Sequence, residues 1–230
     1  MRLERRAVIF DLDDTLHPRR HFVASGLRAV AVHVASAYDM SRGDALRVLA
    51  RARRESSGRE LQALQEAFGL PADTLPALIA VVRAHVPRLR LSTAARAVLA
   101  HLRAAWRLGV VTNGVAEVQA RKVAALGLAA HVDCVVYATA DGQPGKPDPA
   151  PFLDACARLD VAPAQTVFVG DDLRADIAGA AAVGMKTIWI APPRLRGAGG
   201  PDADITVHAL DDVPAAARRL LPSRWSPYAA

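Results

Sequence analysis

Short apolar runs recur along the chain at 7–10, 108–112, 134–137, 166–170 and 185–190, and each is continuous rather than alternating. A strand buried on both faces reads this way because neither face meets water, and such strands belong to parallel sheets. Between the runs the apolar positions take up helical spacing, near 93–107, 115–126, 149–159, 173–183 and 210–221. The third of these helices follows Pro147 and Pro149, with Asp148 placed to cap it. Strands alternating with helices predict an α/β fold. The alternation breaks once. Residues 19–90 hold no strand pattern and read as four helices, near 21–38, 42–56, 59–68 and 73–86. Ser41, with Asp44 three residues on, forms a capping start for the second of them; Gly58, Gly69 and Pro71 punctuate the rest. The chain is thus expected to divide into a core, 1–18 and 91–222, and a helical insertion, 19–90. The Gly/Pro-rich stretch 192–201 is expected as a surface loop and 223–230 as a loose tail.

Candidate chemistry gathers where the predicted strands end, which is where open parallel sheets bind ligands. The first run leads into Asp11-Leu12-Asp13-Asp14-Thr15. Three carboxylates in four residues repel one another unless a cation lies among them, and Asp11 and Asp13 suit a hard, oxygen-seeking ion such as Mg²⁺. An Asp-rich turn is the plainer reading. The run 108–112 closes on Thr112-Asn113-Gly114 ahead of a helix. A hydroxyl followed by N–H groups at a helix start makes an anion cradle, or merely a strand-to-helix turn. Lys146, within Gly145-Lys146-Pro147-Asp148-Pro149, is one of three lysines beside 26 arginines. A compact ammonium on a flexible stem is suited to reaching into a site. The run 166–170 leads into Asp171-Asp172-Leu173-Arg174-Ala175-Asp176. Asp171 and Asp176 are further metal candidates, and Asp171 or Asp172 is equally a helix cap.

Each motif has an ordinary explanation by itself. Together, in one chain order and each after a predicted strand, they resemble the haloacid dehalogenase-like (HAD) superfamily over about residues 5–190. The resemblance implies a Rossmann-like parallel sheet core with helices on both faces and an inserted α-helical cap domain. It implies a phosphatase in which Asp11 is the nucleophile that forms an aspartyl-phosphate. Asp13 would act as general acid and then as base. Mg²⁺ would be held by the Asp11 carboxylate, the Asp13 backbone carbonyl and Asp171, with Asp172 or Asp176 in the surrounding shell. Leu12, Thr112, Asn113 and Gly114 would bind the transferring phosphoryl group, and Lys146 would offset the charge of nucleophile and phosphate. Asp13 argues against a haloacid dehalogenase, which does not need a second acid; a phosphomutase uses the same acid and stays open. Leu16-His17-Pro18 is similar to the Leu-Tyr-Pro of the pyrimidine nucleotidase branch, which nominates nucleotides beside sugar phosphates as substrates. His17 and His21 flank the expected entry to the cap and are candidates for touching substrate, or for a surface or hinge role.

Composition narrows the class further. At 230 residues and 52% hydrophobic, the chain can bury a sizeable core, and its mixed charges argue against disorder. No run approaches the ~20 apolar residues of a membrane span. The start, with Arg2, Glu4, Arg5 and Arg6, does not read as a signal peptide. Two cysteines offer neither a disulfide framework nor a thiolate metal site. A cytoplasmic location is therefore expected, and the resemblance implies an enzyme acting on a small phosphorylated molecule. The formal charge of +6 invites a different role, a nucleic-acid-binding or regulatory module on an idle fold. No reader motif or aromatic–basic interleaving supports that role. The charge is also local: residues 19–90 hold 12 Arg and 6 acids, and the remainder holds 17 basic and 17 acidic residues. Arg47, Arg51 and Arg54 share one helix face. They read either as a basic lip over the active site or as a solvated face with pairs such as Arg51–Glu55 and Glu55–Arg59, and the pairs favour the second. If the insertion's field draws anionic substrate, kcat/KM falls with ionic strength and with neutralisation of these three arginines. Initial rates across a salt series check this, and insensitivity to both changes reduces the charge to solvation.

Overall fold

The computed structural model describes residues 5–192, 195 and 202–222. The tail expected at 223–230 lies outside the described residues, as does most of the loop expected at 192–201. The strands β1 (Ala7–Phe10), β2 (Arg107–Thr112), β3 (Cys134–Tyr137), β4 (Thr166–Gly170), β5 (Lys186–Ile190) and β6 (Ile205–Val207) form one sheet. Its order is β3-β2-β1-β4-β5-β6, and every neighbouring pair is parallel. Phe10 is level with Val110 on one side and Val169 on the other, so β1, β2 and β4 end side by side. The chain builds outward from β1 in one direction, then returns to build outward from β4. The switch point between them is where such a sheet opens a crevice.

All four residues of β1 and all five of β4 are buried, as their unbroken apolar runs require. The helices α5 (Thr93–Arg103), α6 (Ala116–Leu126), α7 (Pro149–Leu159) and α9 (Val213–Leu220) pack on the sheet. Ser92 caps α5 by accepting from the Ala95 N–H at 3.0 Å, and Asp148 caps α7 by accepting from Ala150 at 2.9 Å. Phe152 of α7 meets Phe168 of β4 edge to face, with ring centroids 5.0 Å apart, in a cluster that includes Ile9 and Val111.

Three elements differ from the sequence reading. The helix expected over 93–107 ends at Arg103, because Arg107 is already the first residue of β2. The helix expected over 173–183 is a widened π turn, Leu173–Ala178, running into the short α8 (Gly179–Ala182). The strand β6 was not expected: three residues are too few to show a period. It is secured by Asp204, which accepts from the Thr187 N–H at 2.8 Å and from Lys186 at 2.9 Å.

Residues Arg19–Leu89 form a second compact unit, inserted in the chain between β1 and α5. It consists of α1 (Arg19–Ala37), α2 (Arg42–Glu55), α3 (Glu60–Phe68) and α4 (Thr74–Ala84). Leu27, Val30, Ala31 and Val34 on one stripe of α1 pack with Ala45, Leu49, Leu64 and Leu78. Gly26 permits the close approach of α4, since a Cβ there would lie 3.0 Å from Val82. Ser41 caps α2 through the Asp44 N–H at 3.3 Å. The buried Glu60 accepts from Arg53 at 2.8 Å and from the Gly58 N–H at 2.9 Å, which offsets its desolvation. Leu64 is fully buried, so Leu64→Ala is expected to lower stability by ~2–5 kcal/mol. Urea denaturation followed by circular dichroism measures this.

Candidate active site

Everything in the site belongs to the α/β unit and is built at the ends of β1, β2 and β4. The Asp11 N–H donates to the Val169 carbonyl at 2.9 Å, extending the sheet ladder one residue beyond β1. A tight turn follows, in which the N–H groups of Leu16 and His17 both reach the Leu12 carbonyl, at 3.1 and 3.0 Å. Asp14 occupies the left-handed region at φ 60°, which Asp tolerates better than most side chains. The Leu12 N–H is bonded to the Asp11 carboxylate.

Beyond β2, Asn113 forms a reciprocal clasp with the backbone of Lys146. Its Oδ1 accepts from the Lys146 N–H at 2.8 Å and its Nδ2 donates to the Lys146 carbonyl at 2.9 Å. A Cβ at residue 145 would lie 2.8 Å from that Oδ1, so the clasp requires Gly145. The clasp sends the Lys146 side chain inward, where it is 2% exposed. Its Nζ donates to Asp11 Oδ1 at 2.6 Å, Asp176 Oδ1 at 2.6 Å and the Val111 carbonyl at 3.0 Å. Three acceptors match the three protons of an ammonium.

Beyond β4, the two carboxylates that the sequence left unranked separate. Asp172 turns to its own helix start, accepting from Arg174 at 2.9 Å and Ala175 at 2.8 Å. Asp176 is buried and faces Lys146, with its second oxygen accepting from the Asp172 N–H at 3.1 Å. The π turn provides this: the Ile177 N–H bonds back five residues to the Asp172 carbonyl, swinging Asp176 against the strand end. A Cβ at residue 170 would lie 2.3 Å from Asp176, so glycine is needed there. Asp171 accepts from the Thr15 hydroxyl at 3.4 Å, and its carbonyl accepts from the Trp189 indole at 2.8 Å.

Asp11, Asp171 and Asp176 each offer a carboxylate oxygen within 4.8 Å of the others, and Lys146 pairs with the first and the last. Burial pushes the Asp11 carboxyl up to about 7, with Lys146 pulling it down and Asp176 adding to the rise. Burial, Asp176 and Asp14 push Asp171 up to about 6. Burial alone would lower Lys146, but Asp11 and Asp176 outweigh it and hold the ammonium above its ordinary value. The cluster therefore has more negative charge than Lys146 balances, offered by hard oxygen donors, and it fits a divalent cation.

The remaining predicted residues lie outside the acidic cluster. Thr112 is buried, and its hydroxyl accepts from Gln119 at 2.8 Å. Gly114 stands at φ 122°, a backbone that favours glycine, beside the Gln119 amide. His17 is buried in the turn after β1, whereas His21 is exposed on α1 in the helical unit. On α2, Arg47 pairs with Asp44, Arg51 lies 3.9 Å from Glu55, and Arg54 is exposed. Arg59 reaches Glu66 at 3.6 Å rather than the expected Glu55. Two residues of the site were not singled out from sequence. Lys122 of α6 donates to both oxygens of Asp13, at 2.9 and 2.6 Å. Gln119, one turn earlier, donates to Asp13 at 3.2 Å and to the Asn113 carbonyl at 2.6 Å. The available signal was the one used for Lys146, a rare lysine in an arginine-rich chain.

A parallel sheet with acids and an ammonium gathered at its switch point places the protein in the Rossmann-like α/β class. A family model for haloacid dehalogenase-like hydrolases matches residues 5–184, and the chain belongs to that family. It is 34% identical over 204 residues to the ribulose-1,5-bisphosphate 5-phosphatase of Halopiger xanaduensis, covering 81% of this chain and 84% of that one. It is 33% identical over 197 residues to the glyceraldehyde 3-phosphate phosphatase of Methanopyrus kandleri, with 80% and 83% covered. The crystal structure of a HAD phosphatase from Thermococcus onnurineus superposes with a TM-score of 0.60 at 28% identity, covering 95% of this chain and 98% of that chain. Among the described residues, no helix is long and apolar enough to cross a membrane.

The raised carboxyls make stability depend on pH. Both folded-state values lie above the ordinary 3.8, so between about 4 and about 7 these two groups bind more protons in the folded protein than in the unfolded chain. Without a divalent cation, their contribution to stability is greatest at the acid end of this window and is lost as pH rises through it. A cation that binds the ionised cluster opposes that fall. Thermal melts at about pH 5 and about pH 7.5, with EDTA or with Mg²⁺, are expected to show a Tm gain from Mg²⁺ that is larger at the higher pH.

Proposed function

We propose that the protein hydrolyses a small-molecule phosphate monoester with the help of Mg²⁺, through an aspartyl-phosphate on Asp11. The observation that carries this reading is the buried Lys146 ammonium, 2.6 Å from both Asp11 and Asp176, with Asp171 beside them. A carboxylate nucleophile and a phosphate dianion repel each other, and the cluster is arranged to remove that repulsion. The Asp11 and Asp171 carboxylates and the Asp13 carbonyl would hold the cation, which supplies charge neutralisation at the phosphoryl oxygens. Asp176 holds Lys146 in place, and Lys146 holds Asp11. Leu12, Thr112, Asn113 and Gly114 line the place of the phosphoryl group; the Asn113 amide acts through its clasp on Lys146, and the Thr112 hydroxyl is set by Gln119.

In the first step an Asp11 oxygen bonds to phosphorus, the bond to the leaving oxygen breaks, and Asp13 gives that oxygen a proton. In the second, water attacks phosphorus, Asp13 takes its proton, and the Asp11–phosphorus bond breaks to release phosphate. The names of the two relatives favour a sugar-type phosphate as substrate over a nucleotide. Asp13 disfavours a dehalogenase. A phosphomutase differs only in the acceptor, and a nucleic-acid role finds no support in a net charge that belongs to residues 19–90. A cytoplasmic location is part of this reading, favoured by the low cysteine content.

Asp11→Asn is expected to abolish turnover of 4-nitrophenyl phosphate while leaving the circular dichroism spectrum unchanged. EDTA is expected to abolish wild-type activity, and Mg²⁺ to restore it. Wild-type rates in Asp11→Asn sink the mechanism, and activity indifferent to EDTA sinks the metal. A panel of sugar, nucleoside and small-acid monophosphates then names the substrate class.

A further inference from the structure

The second acid of the first motif does not face the Lys146 cluster. Its carboxylate is held from α6, by Lys122 and Gln119, which lie outside the four motifs. Lys122 Nζ lies 2.9 Å from Asp13 Oδ1 and 2.6 Å from Oδ2, so the ammonium spans both oxygens. The side chain of Lys122 is 6% exposed and that of Asp13 is 22% exposed. A lysine buried to this degree is costly unless it is paired, and the pair joins elements 109 residues apart in the chain. Gln119 lies three residues earlier, on the same face of α6. Its Nε2 meets three acceptors: Asp13 Oδ2 at 3.2 Å, Thr112 Oγ1 at 2.8 Å and the Asn113 carbonyl at 2.6 Å. One amide group thus ties the turn after β1 to the end of β2.

The lysine usage carries the same message. The chain has three lysines against 26 arginines. Lys186 pairs at the surface with Asp204. The other two are buried, one on Asp11 and one on Asp13. Arginine's planar fork needs room that a closed site lacks, whereas an ammonium fits as a point charge. Each acid of the Asp-x-Asp motif therefore has its own buried lysine, supplied by a different strand end or helix.

We propose that Lys122, backed by Gln119, is a positioning residue that fixes the Asp13 carboxylate for proton transfer to the leaving oxygen and from the attacking water. This rests on the phosphatase reading and assigns to α6 a part in both of its steps. Two contacts from one ammonium fix the plane of the carboxylate, and general acid–base transfer needs its partner at hydrogen-bond reach with correct aim. Lys122 acts on the reaction through Asp13, so its removal imitates a partial loss of Asp13.

The test uses two substrates of similar shape and different leaving groups, phenyl phosphate and 4-nitrophenyl phosphate. Phenolate is the poorer leaving group and needs the proton; 4-nitrophenolate departs without it. In Lys122→Met, kcat/KM is expected to fall ~10–100-fold for phenyl phosphate, a part of the full value of a general acid. For 4-nitrophenyl phosphate, kcat/KM is expected to change little. Its kcat falls, because hydrolysis of the phosphoenzyme still needs a base, and phosphoenzyme accumulates in rapid-quench samples. Asp13→Asn combined with Lys122→Met is expected to be no slower than Asp13→Asn alone, since residues acting as a unit are not additive. Lys122→Gln, which keeps a neutral donor, serves if the methionine variant melts early. Equal losses on the two substrates, or an additive double variant, overturn the positioning role while the phosphatase reading stands. A wild-type protein inactive on both substrates overturns the phosphatase reading, and this one with it.

Discussion

Burying carboxylates at the ends of parallel strands is unfavourable, and the architecture of this protein around β1 and β4 answers that cost. Ligand oxygens of Asp11, Asp171 and Asp176 approach within 4.8 Å of one another, and the Lys146 ammonium pairs with Asp11 and Asp176. Much of the surrounding chain serves to deliver that one group. The Asn113 clasp holds its backbone, Gly145 leaves space for the clasp, and Gly170 leaves space for the acid on its far side. The π turn exists where Asp176 must point back at the strand end, a place where an α-helix would carry it past.

The balance is deliberately incomplete in its electrostatics. Lys146 pairs with Asp11 and Asp176, yet burial, with Asp176 adding to it, still pushes the Asp11 and Asp171 carboxyls up. Under the proposed function, such a site would accept a positive guest and, with it, the phosphate dianion that a carboxylate otherwise repels. Membership of the haloacid dehalogenase-like hydrolases is consistent with this chemistry, and the relatives named as phosphatases indicate which branch of it to expect. Asp13 is provided for separately: its partners come from α6, so the two acids of one motif are governed by different parts of the fold.

The strands β1 to β5 were legible because burial on both faces forces an unbroken apolar run, and the four motifs were legible because each sits where such a run stops. β6 was not, since Ile205-Thr206-Val207 becomes a strand only by pairing with β5 and being secured by Asp204. The choice between Asp172 and Asp176 was equally closed to sequence. Both follow β4, and only the path of the turn sends one to a helix start and the other to Lys146. Gln119 and Lys122 look like ordinary polar positions of an amphipathic helix; their meaning depends on a turn more than a hundred residues away.

By itself, then, the sequence determined the fold class, the helical insertion and its basic charge, and the candidacy of Asp11, Asp13, Lys146 and Asp171 for the site. These follow from local properties: period, burial and the identity of residues at strand ends. Only the tertiary structure decided which groups share a charge. It brought Lys146 to Asp11 and Asp176, turned Asp172 away, and set Lys122 on Asp13. The reason is that Coulomb and hydrogen-bond energies depend on distance in space, and in a parallel sheet the residues that meet at one edge come from separate stretches of the chain.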